Sequence, residues 1–227
     1  MCGRFVQFSS LRTLENYFPI DSIAGDVMAS YNVAPTQEVL AIIHQNGRRL
    51  EKLRWGLVPS WAKDLSGASR LINARAETVA QKPSFRAAFK RRRCLIMADG
   101  FYEWQGEKGR KQPYFIAMPS NRPFAFGGLW ETWISKETPD DEPVYRSCTI
   151  LTTAASESMQ DIHHRMPVIL QPEAYDDWLD PEIQEADRLA VILQNHLVRK
   201  MQCYPVSKLV NRVQNNYAEN IKPLSGS

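Results

Sequence analysis

Apolar positions along this chain come in short runs broken by Gly, Pro, Asn and Asp, and few stretches carry the spacing of an amphipathic helix. Val39-Leu40-Ala41-Ile42-Ile43, then Asn46-Gly47, then Leu50 to Trp55 predicts a β-hairpin with a type I′ turn, because Asn-Gly accepts the two positive φ angles that turn needs. Further strands are predicted over residues 94–98, 101–104, 114–118, 124–129, 145–153 and 166–170. Ser10 is placed to cap a short helix with Leu11, Leu14 and Phe18 on one face, stopped at Pro19. Ser84 is placed to cap a second through Phe85, Ala88 and Phe89. Helices are also predicted over 156–162, 172–179 and 187–197. The strands follow one another too closely for repeated βαβ crossovers. The expected class is therefore α+β: a single domain over 1–224, with a mainly antiparallel, curved, barrel-like sheet and flanking helices. Residues 225–227 are expected to form a flexible tail.

Composition narrows the class without fixing a function. Of 227 residues, 44% are hydrophobic and 23% charged, as in ordinary globular proteins. Lys plus Arg total 28 and Asp plus Glu 25, a net charge of +3. The distribution is uneven: Lys90-Arg91-Arg92-Arg93, the group Arg48, Arg49, Lys52 and Arg54, and Arg70, Arg75 and Arg86 make the first half basic. Acidic residues gather at Asp140-Asp141-Glu142 and between Glu173 and Asp187. Such asymmetry suits either a polyanionic ligand or a solvated basic face. No run approaches transmembrane length and no signal peptide is visible, so no membrane partner is expected. The expected location is cytoplasmic, at the nucleoid, in a bacterium and nuclear in a eukaryote.

The four cysteines, Cys2, Cys94, Cys148 and Cys203, form no C-x-x-C pair and no metal-ligand spacing, and no metal or organic cofactor is expected. Cys94 and Cys148 lie in apolar runs and are expected as core thiols. Cys2 is different. Once Met1 is removed, it carries a free α-amine and a thiol on adjacent carbons. The amine can form an imine with an aldehyde, and the thiol can then close a five-membered thiazolidine on the same carbon. Three other polar segments fit poorly into a plain strand or helix: Asn73-Ala74-Arg75-Ala76-Glu77-Thr78, Asp99-Gly100-Phe101-Tyr102-Glu103-Trp104, and His163-His164-Arg165-Met166-Pro167. Each also has an ordinary structural reading, such as Asn73 in a turn, Glu103 as an outward strand carboxylate, or the histidines at a helix end.

With Met-Cys-Gly-Arg-Phe at the start, Tyr31-Asn32-Val33-Ala34-Pro35-Thr36, Arg54-Trp55-Gly56-Leu57-Val58-Pro59-Ser60-Trp61, Thr152-Thr153-Ala154-Ala155, Pro205-Val206-Ser207 and Val210-Asn211, these blocks follow one another in an order that resembles the SRAP family. That family is named for "SOS response-associated peptidase", and its members act on abasic sites in DNA. The resemblance runs from Met1 to about Pro223. It implies that Cys2 is the nucleophile and that Asn73, Glu103 and His163 complete the active site. It implies that Arg4 and Arg75 meet DNA phosphates and that Trp61 stacks near the lesion. Asn32 and Arg165, inside matching blocks, are also expected at the DNA. Where the family often has a second aromatic beside that Trp, this chain has Ala62.

The implied partner is single-stranded DNA containing an abasic site, met by a monomer. The implied outcome is a covalent thiazolidine between Cys2 and the ring-opened deoxyribose, which shields the strand from cleavage. Glu103 would shuttle protons, His163 would assist ring opening, and Asn73 would orient the sugar or the N-terminus. The same residues leave open a cysteine peptidase of the N-terminal-nucleophile kind, with the Met1–Cys2 bond as a substrate. They also leave open a non-covalent module for damaged DNA.

Overall fold

The computed structural model describes residues 2–107, 109–135 and 145–224. Met1, the acidic Asp140-Asp141-Glu142 and the tail 225–227 lie outside the described residues. In chain order the elements are β1 (Phe5–Gln7), α1 (Leu11–Tyr17), β2 (Ser22–Ala24), β3 (Ser30–Val33), β4 (Glu38–His44), β5 (Arg48–Trp55), β6 (Asn73–Arg75) and α2 (Arg86–Arg91). There follow β7 (Arg93–Ala98), β8 (Gly100–Gln105), β9 (Gln112–Ala117), β10 (Phe124–Trp133), β11 (Tyr145–Ala154) and α3 (Glu157–Gln160). The chain ends with β12 (Arg165–Pro167), β13 (Ile169–Leu170), α4 (Tyr175–Leu179), α5 (Ala186–Asn195) and β14 (Gln202–Pro205).

The predicted hairpin is β4–β5, and its turn takes positive φ at both Asn46 (54°) and Gly47 (105°). Ser10 caps α1 by accepting the Thr13 N–H at 3.2 Å. Ser84 does not cap α2, which starts at Arg86 after Phe85 and has no side-chain cap. The single strand predicted over 166–170 is split into β12 and β13, and Val168 between them bridges two strands: its N–H donates to Leu151 O at 2.8 Å and its carbonyl accepts from Gly127 at 2.9 Å.

Strands β5, β4, β7, β10 and β11 pair in that order, all antiparallel. β11 then returns to β5 in parallel, with Ser147 opposite Arg54 and Cys148 opposite Trp55, so the five strands close into a mixed barrel. Side-chain alternation divides each strand between two cores. Leu40, Ile42, Leu95, Met97, Ala125, Leu129 and Leu151 face outward beneath α1, α2, α4 and α5. Val39, Ala41, Ile43, Cys94, Ile96, Phe126, Cys148 and Ile150 make the opposite face, the barrel interior. A second sheet, in the order β14-β9-β8-β1-β3, covers that interior with Phe5, Phe101 and Ile116. Phe5 meets Trp55 and Phe126 edge-on at 5.0 and 5.5 Å, in the geometry aromatic quadrupoles favour. The sheet also packs closely on itself: a Cβ at Gly100 would stand 2.2 Å from Phe115 Cζ. Cys94 and Cys148 are fully buried free thiols.

The basic run is largely consumed by the fold. Arg93 is 2% exposed and donates to Trp178 O at 2.7 Å, Phe89 O at 2.9 Å, Lys90 O at 2.6 Å and the carbonyl of Asp180. These are carbonyls at the C-terminal ends of α2 and α4, which have no acceptor role left inside their helices. The guanidinium also lies over the Trp178 ring at 5.6 Å, and burial pushes its pKa down to about 10. Arg92 pairs with Glu131 at 2.7 Å. Replacing Arg93 by Met is expected to cost about 3 kcal/mol, since it strands several buried carbonyls. Lys90→Gln, on the exposed side of the same run, is expected to stay within about 0.5 kcal/mol. Urea midpoints for the two variants check this.

Candidate functional site

Covering the barrel brings Cys2 inside. Its side chain is fully buried in the interior cluster with Phe5, Trp55, Phe101 and Ile150. Asn73 arrives from the other direction. β6 pairs in parallel with β11, Asn73 opposite Ile150, Ala74 opposite Leu151 and Arg75 opposite Thr152. Because Ala74 and Leu151 share the outer core, Asn73 and Arg75 face the side of Ile150. The Asn73 side-chain amide donates to the carbonyl of Cys2 at 2.8 Å.

Glu103 reaches the same place by alternation along β8. Phe101 and its partner Ile116 face the barrel interior, and Glu103 and its partner Tyr114 follow two residues on. Glu103 is 3% exposed, so the outward-carboxylate reading does not describe it. Nor do Tyr102 and Trp104 bury it: Tyr102 belongs to the cluster on the opposite face of the sheet, and Trp104 packs against that cluster. Burial raises the pKa of the Glu103 carboxyl. Burial and the nearby Glu103 charge both push the Cys2 thiol up, so it is protonated at neutral pH.

His163 lies just before β12. Its Nδ1 lies 2.9 Å from the Arg165 nitrogen and 3.1 Å from the Arg165 carbonyl oxygen; in the tautomer with its proton on Nε2, Nδ1 accepts the Arg165 N–H. Its ring stacks on that of His164, centroids 4.4 Å apart. Burial, with His164 adding to it, lowers the His163 pKa and favours the neutral imidazole. Gln105, two residues after Glu103, donates to Asp161 O at 2.9 Å and ties the end of β8 to the histidine loop.

The expected DNA contacts fall into distinct settings. Arg4 is half-buried, donates to Asn32 Oδ1 at 2.7 Å and to Val210 O at 2.8 Å, and lies over the Trp104 ring at 6.0 Å. Its Nε has no partner among the described residues. Asn32 is 1% exposed, and its amide donates to the carbonyls of Val210, Arg212 and Asn215. Its side chain is thus an internal anchor of Arg4 and the C-terminal turn, not a surface group. Arg75 is exposed. Arg165 forms a bidentate pair with Glu77 at 2.6 and 2.9 Å and also donates to Thr152 O. Trp61 is 59% exposed on the 56–70 loop, and no hydrogen bond or ring contact joins it to the Cys2 group among the described residues.

Sequence reasoning missed an adjoining feature. An open cleft of about 430 Å³ is lined by Trp104, Gly109, Lys111, Lys208 and Asn211. Trp104 Nε1 donates to Asn211 Oδ1 at 2.8 Å. Pro205-Val206-Ser207 and Val210-Asn211 were visible as blocks, but nothing in their residue types indicated which side chains they would meet. Among the described residues, no group of three or more His, Cys, Asp or Glu could hold a metal ion, and no helix is long and apolar enough to cross a membrane.

The covered five-stranded barrel that seats Cys2 beside Asn73, with Glu103 buried close by, is a fold with known counterparts. The chain belongs to the SOS response associated peptidase (SRAP) family, whose model matches residues 1–213. It is 46% identical over 226 residues to the abasic site processing protein YoqW of Bacillus subtilis (strain 168), covering 98% of this chain and 99% of that protein. It is 32% identical over 234 residues to the abasic site processing protein YedK of Escherichia coli (strain K12), covering 99% and 100%. An X-ray structure of a protein from Bacteroides thetaiotaomicron shares the fold with a TM-score of 0.81, over 98% of this chain and 99% of that one at 23% identity.

Removing the Glu103 charge relieves one of the two influences that hold the Cys2 thiol protonated. Glu103→Gln is therefore expected to lower the Cys2 pKa and speed its alkylation by iodoacetamide at pH 8, with the modified residue mapped by mass spectrometry. An unchanged or slower rate at Cys2 would contradict the proximity of the two groups.

Proposed function

We propose that this protein processes abasic sites in single-stranded DNA by bonding covalently to them through Cys2 once Met1 has been removed. The observation that carries the proposal is the approach of Asn73 Nδ2 to the Cys2 carbonyl at 2.8 Å, with the buried Glu103 carboxyl acting on the same cysteine. The names and the near-complete coverage of YoqW and YedK support the same substrate.

The abasic deoxyribose presents its C1′ aldehyde in the ring-opened form. Neutral His163, with Nε2–H as donor, assists that opening by hydrogen bonding to the departing ring oxygen. The Cys2 amine attacks C1′, and loss of one water gives an imine. Glu103 takes a proton from the attacking amine and returns one to the leaving hydroxyl. A carboxyl with a raised pKa is better matched to both transfers than an exposed one. The Cys2 thiol, protonated at rest, then adds across the imine. Its sulfur bonds to C1′ and its proton ends on the nitrogen, closing the thiazolidine. The electron sink that would drive β-elimination is gone and the strand stays intact. Asn73 fixes the Cys2 carbonyl and so the direction from which amine and thiol meet the sugar. Arg4 and Arg75 supply phosphate contacts, with Asn32 holding Arg4 in place, and Trp61 offers a stacking surface. Arg165, held by Glu77, completes the basic surface near His163.

Incubation of the trimmed protein with a single strand bearing one abasic site is expected to give an adduct of protein plus DNA minus one water, mapped to Cys2 by intact-mass and peptide spectrometry. Cys2→Ala is expected to give none. Cys2→Ser is expected to give only a borohydride-trappable imine and cut strands. Intact, unmodified DNA from a correctly trimmed chain would move the weight to the peptidase reading.

The adduct rate is expected to fall as pH drops through the Glu103 pKa, which lies above the ordinary carboxylate range because of burial. The sign follows from the carboxylate being the active base: protonating it removes the acceptor for the amine proton. Single-turnover rates between pH 5 and 8 check this, and in Glu103→Gln that limb of the profile should disappear, with a slower rate of about 10²-fold or more.

A further inference from the structure

We propose that Glu77 is a positioning residue for His163, holding the imidazole in its working place through Arg165. This rests on the abasic-site reading above and adds to it a residue that acts at a distance from the sugar.

The backbone of Arg165 seats the imidazole. His163 Nδ1 lies 2.9 Å from the Arg165 nitrogen and 3.1 Å from its carbonyl oxygen, so in either neutral tautomer the ring is hydrogen-bonded to that backbone. Strand pairing alone is a slight support for this seat. Arg165 is the first residue of β12, which has three residues and stands at the edge of its sheet, paired with β11.

The side chain of Arg165 supplies the rest. Its guanidinium donates to the two carboxylate oxygens of Glu77 at 2.6 and 2.9 Å, and Nη2 also donates to Thr152 O at 2.7 Å and Thr152 Oγ1 at 3.2 Å. An exposed ion pair is ordinarily worth little. This one is a two-pronged fork whose cation is 15% exposed, and fork geometry fixes direction as well as distance. Hydrogen bonds from Arg165 keep the Glu77 carboxyl below the ordinary carboxylate range, so the pair is ionised at neutral pH.

Glu77 is placed for this by the segment that also serves Cys2. Asn73 begins β6 and donates to the Cys2 carbonyl at 2.8 Å. Glu77 follows two residues after β6 ends. Between them the Ala76 N–H donates at 2.9 Å to Thr152 O, the same carbonyl that Arg165 Nη2 uses. Residues 73–77 therefore hold the cysteine at one end and the seat of the histidine at the other, tied to one carbonyl of β11. A carboxylate here works against phosphate binding, because it offsets a cation. A role in positioning and a role in DNA encounter thus predict opposite effects of removing it.

The test is the single-turnover adduct rate of trimmed protein, in excess, with two single-stranded DNAs. One carries the natural abasic sugar. The other carries an acyclic aldehyde without the 4′-hydroxyl, which cannot close into a ring and needs no opening. Glu77→Ala is expected to lower the saturating rate on the abasic sugar about ten-fold, as misplacing a proton donor does, and to leave the acyclic aldehyde within about two-fold. The half-saturating protein concentration should stay level or fall. His163→Ala should slow the abasic sugar at least as much, and adding Glu77→Ala to it should change the rate less than about two-fold. Equal slowing on both DNAs, additive losses, or a higher half-saturating concentration at an unchanged rate would overturn the assignment. Nitrogen-15 spectra of labelled histidine at pH 8 read the seat without any reaction. In Glu77→Ala the His163 ring nitrogens should shift while those of His44 and His196 stay, and unmoved His163 signals defeat the proposal. Wild-type protein that forms no adduct with either DNA defeats the crosslink reading, and the spectra then decide the seat separately.

Discussion

Closure of the barrel by the parallel pairing of β5 with β11 is the constraint on which the site depends. A closed sheet of five strands has an interior whose ends must be covered, and here the cover is a second sheet that presents Phe5, Phe101 and Ile116. Once those three are seated, the two-residue period of β8 delivers Glu103 to the same face, and the chain before β1 carries Cys2 into the covered space. The later part of β11, past its pairing with β5, accepts β6 instead and so delivers Asn73. One apolar packing requirement thereby fixes the relative placement of Cys2, Glu103 and Asn73.

That placement sets the electrostatics. Two acids that would titrate apart in water are both buried, and each is held in its protonated direction, the thiol by burial and by the carboxyl beside it. A resting thiol that is not ionised is slow toward adventitious electrophiles. In the proposed reaction such a thiol leaves the first attack to the amine and adds only once an imine stands beside it, so selectivity would rest on the order of events rather than on a reactive thiolate.

Local chemistry was legible in the sequence, and long-range partnership was not. The Asn46-Gly47 turn and the Ser10 cap were readable because each depends on residues within four positions. Strands β1, β2, β3, β6 and β14 escaped notice because each is three or four residues long and exists by pairing with strands elsewhere in the chain. Ser84 failed as a cap because the helix begins two residues later. The charge of Arg93 in a basic run gave no hint that two helix ends supply carbonyls for it. For the site, the identities of Cys2, Asn73, Glu103 and His163 came from a resemblance, while the face of β8 that buries Glu103 did not. Alternation tells which residues share a face, but β8 is covered on both faces, so parity alone could not say what covers each. Asn32 illustrates the converse: a polar residue in a matching block that serves the interior.

The hydrogen bond from Arg4 to the carbonyl of Val210 joins residues 206 positions apart. During synthesis, the first leaves the ribosome long before the second is made. Arg4, Asn32 and Trp104 have no fixed seat until the 208–215 segment folds back on them. Contacts of such separation form late, since the chain loop they close is long. A growing chain therefore carries Cys2 and Arg4 before the segment that seats Arg4 exists. Assembly of that frame waits on the synthesis of residues 208–215.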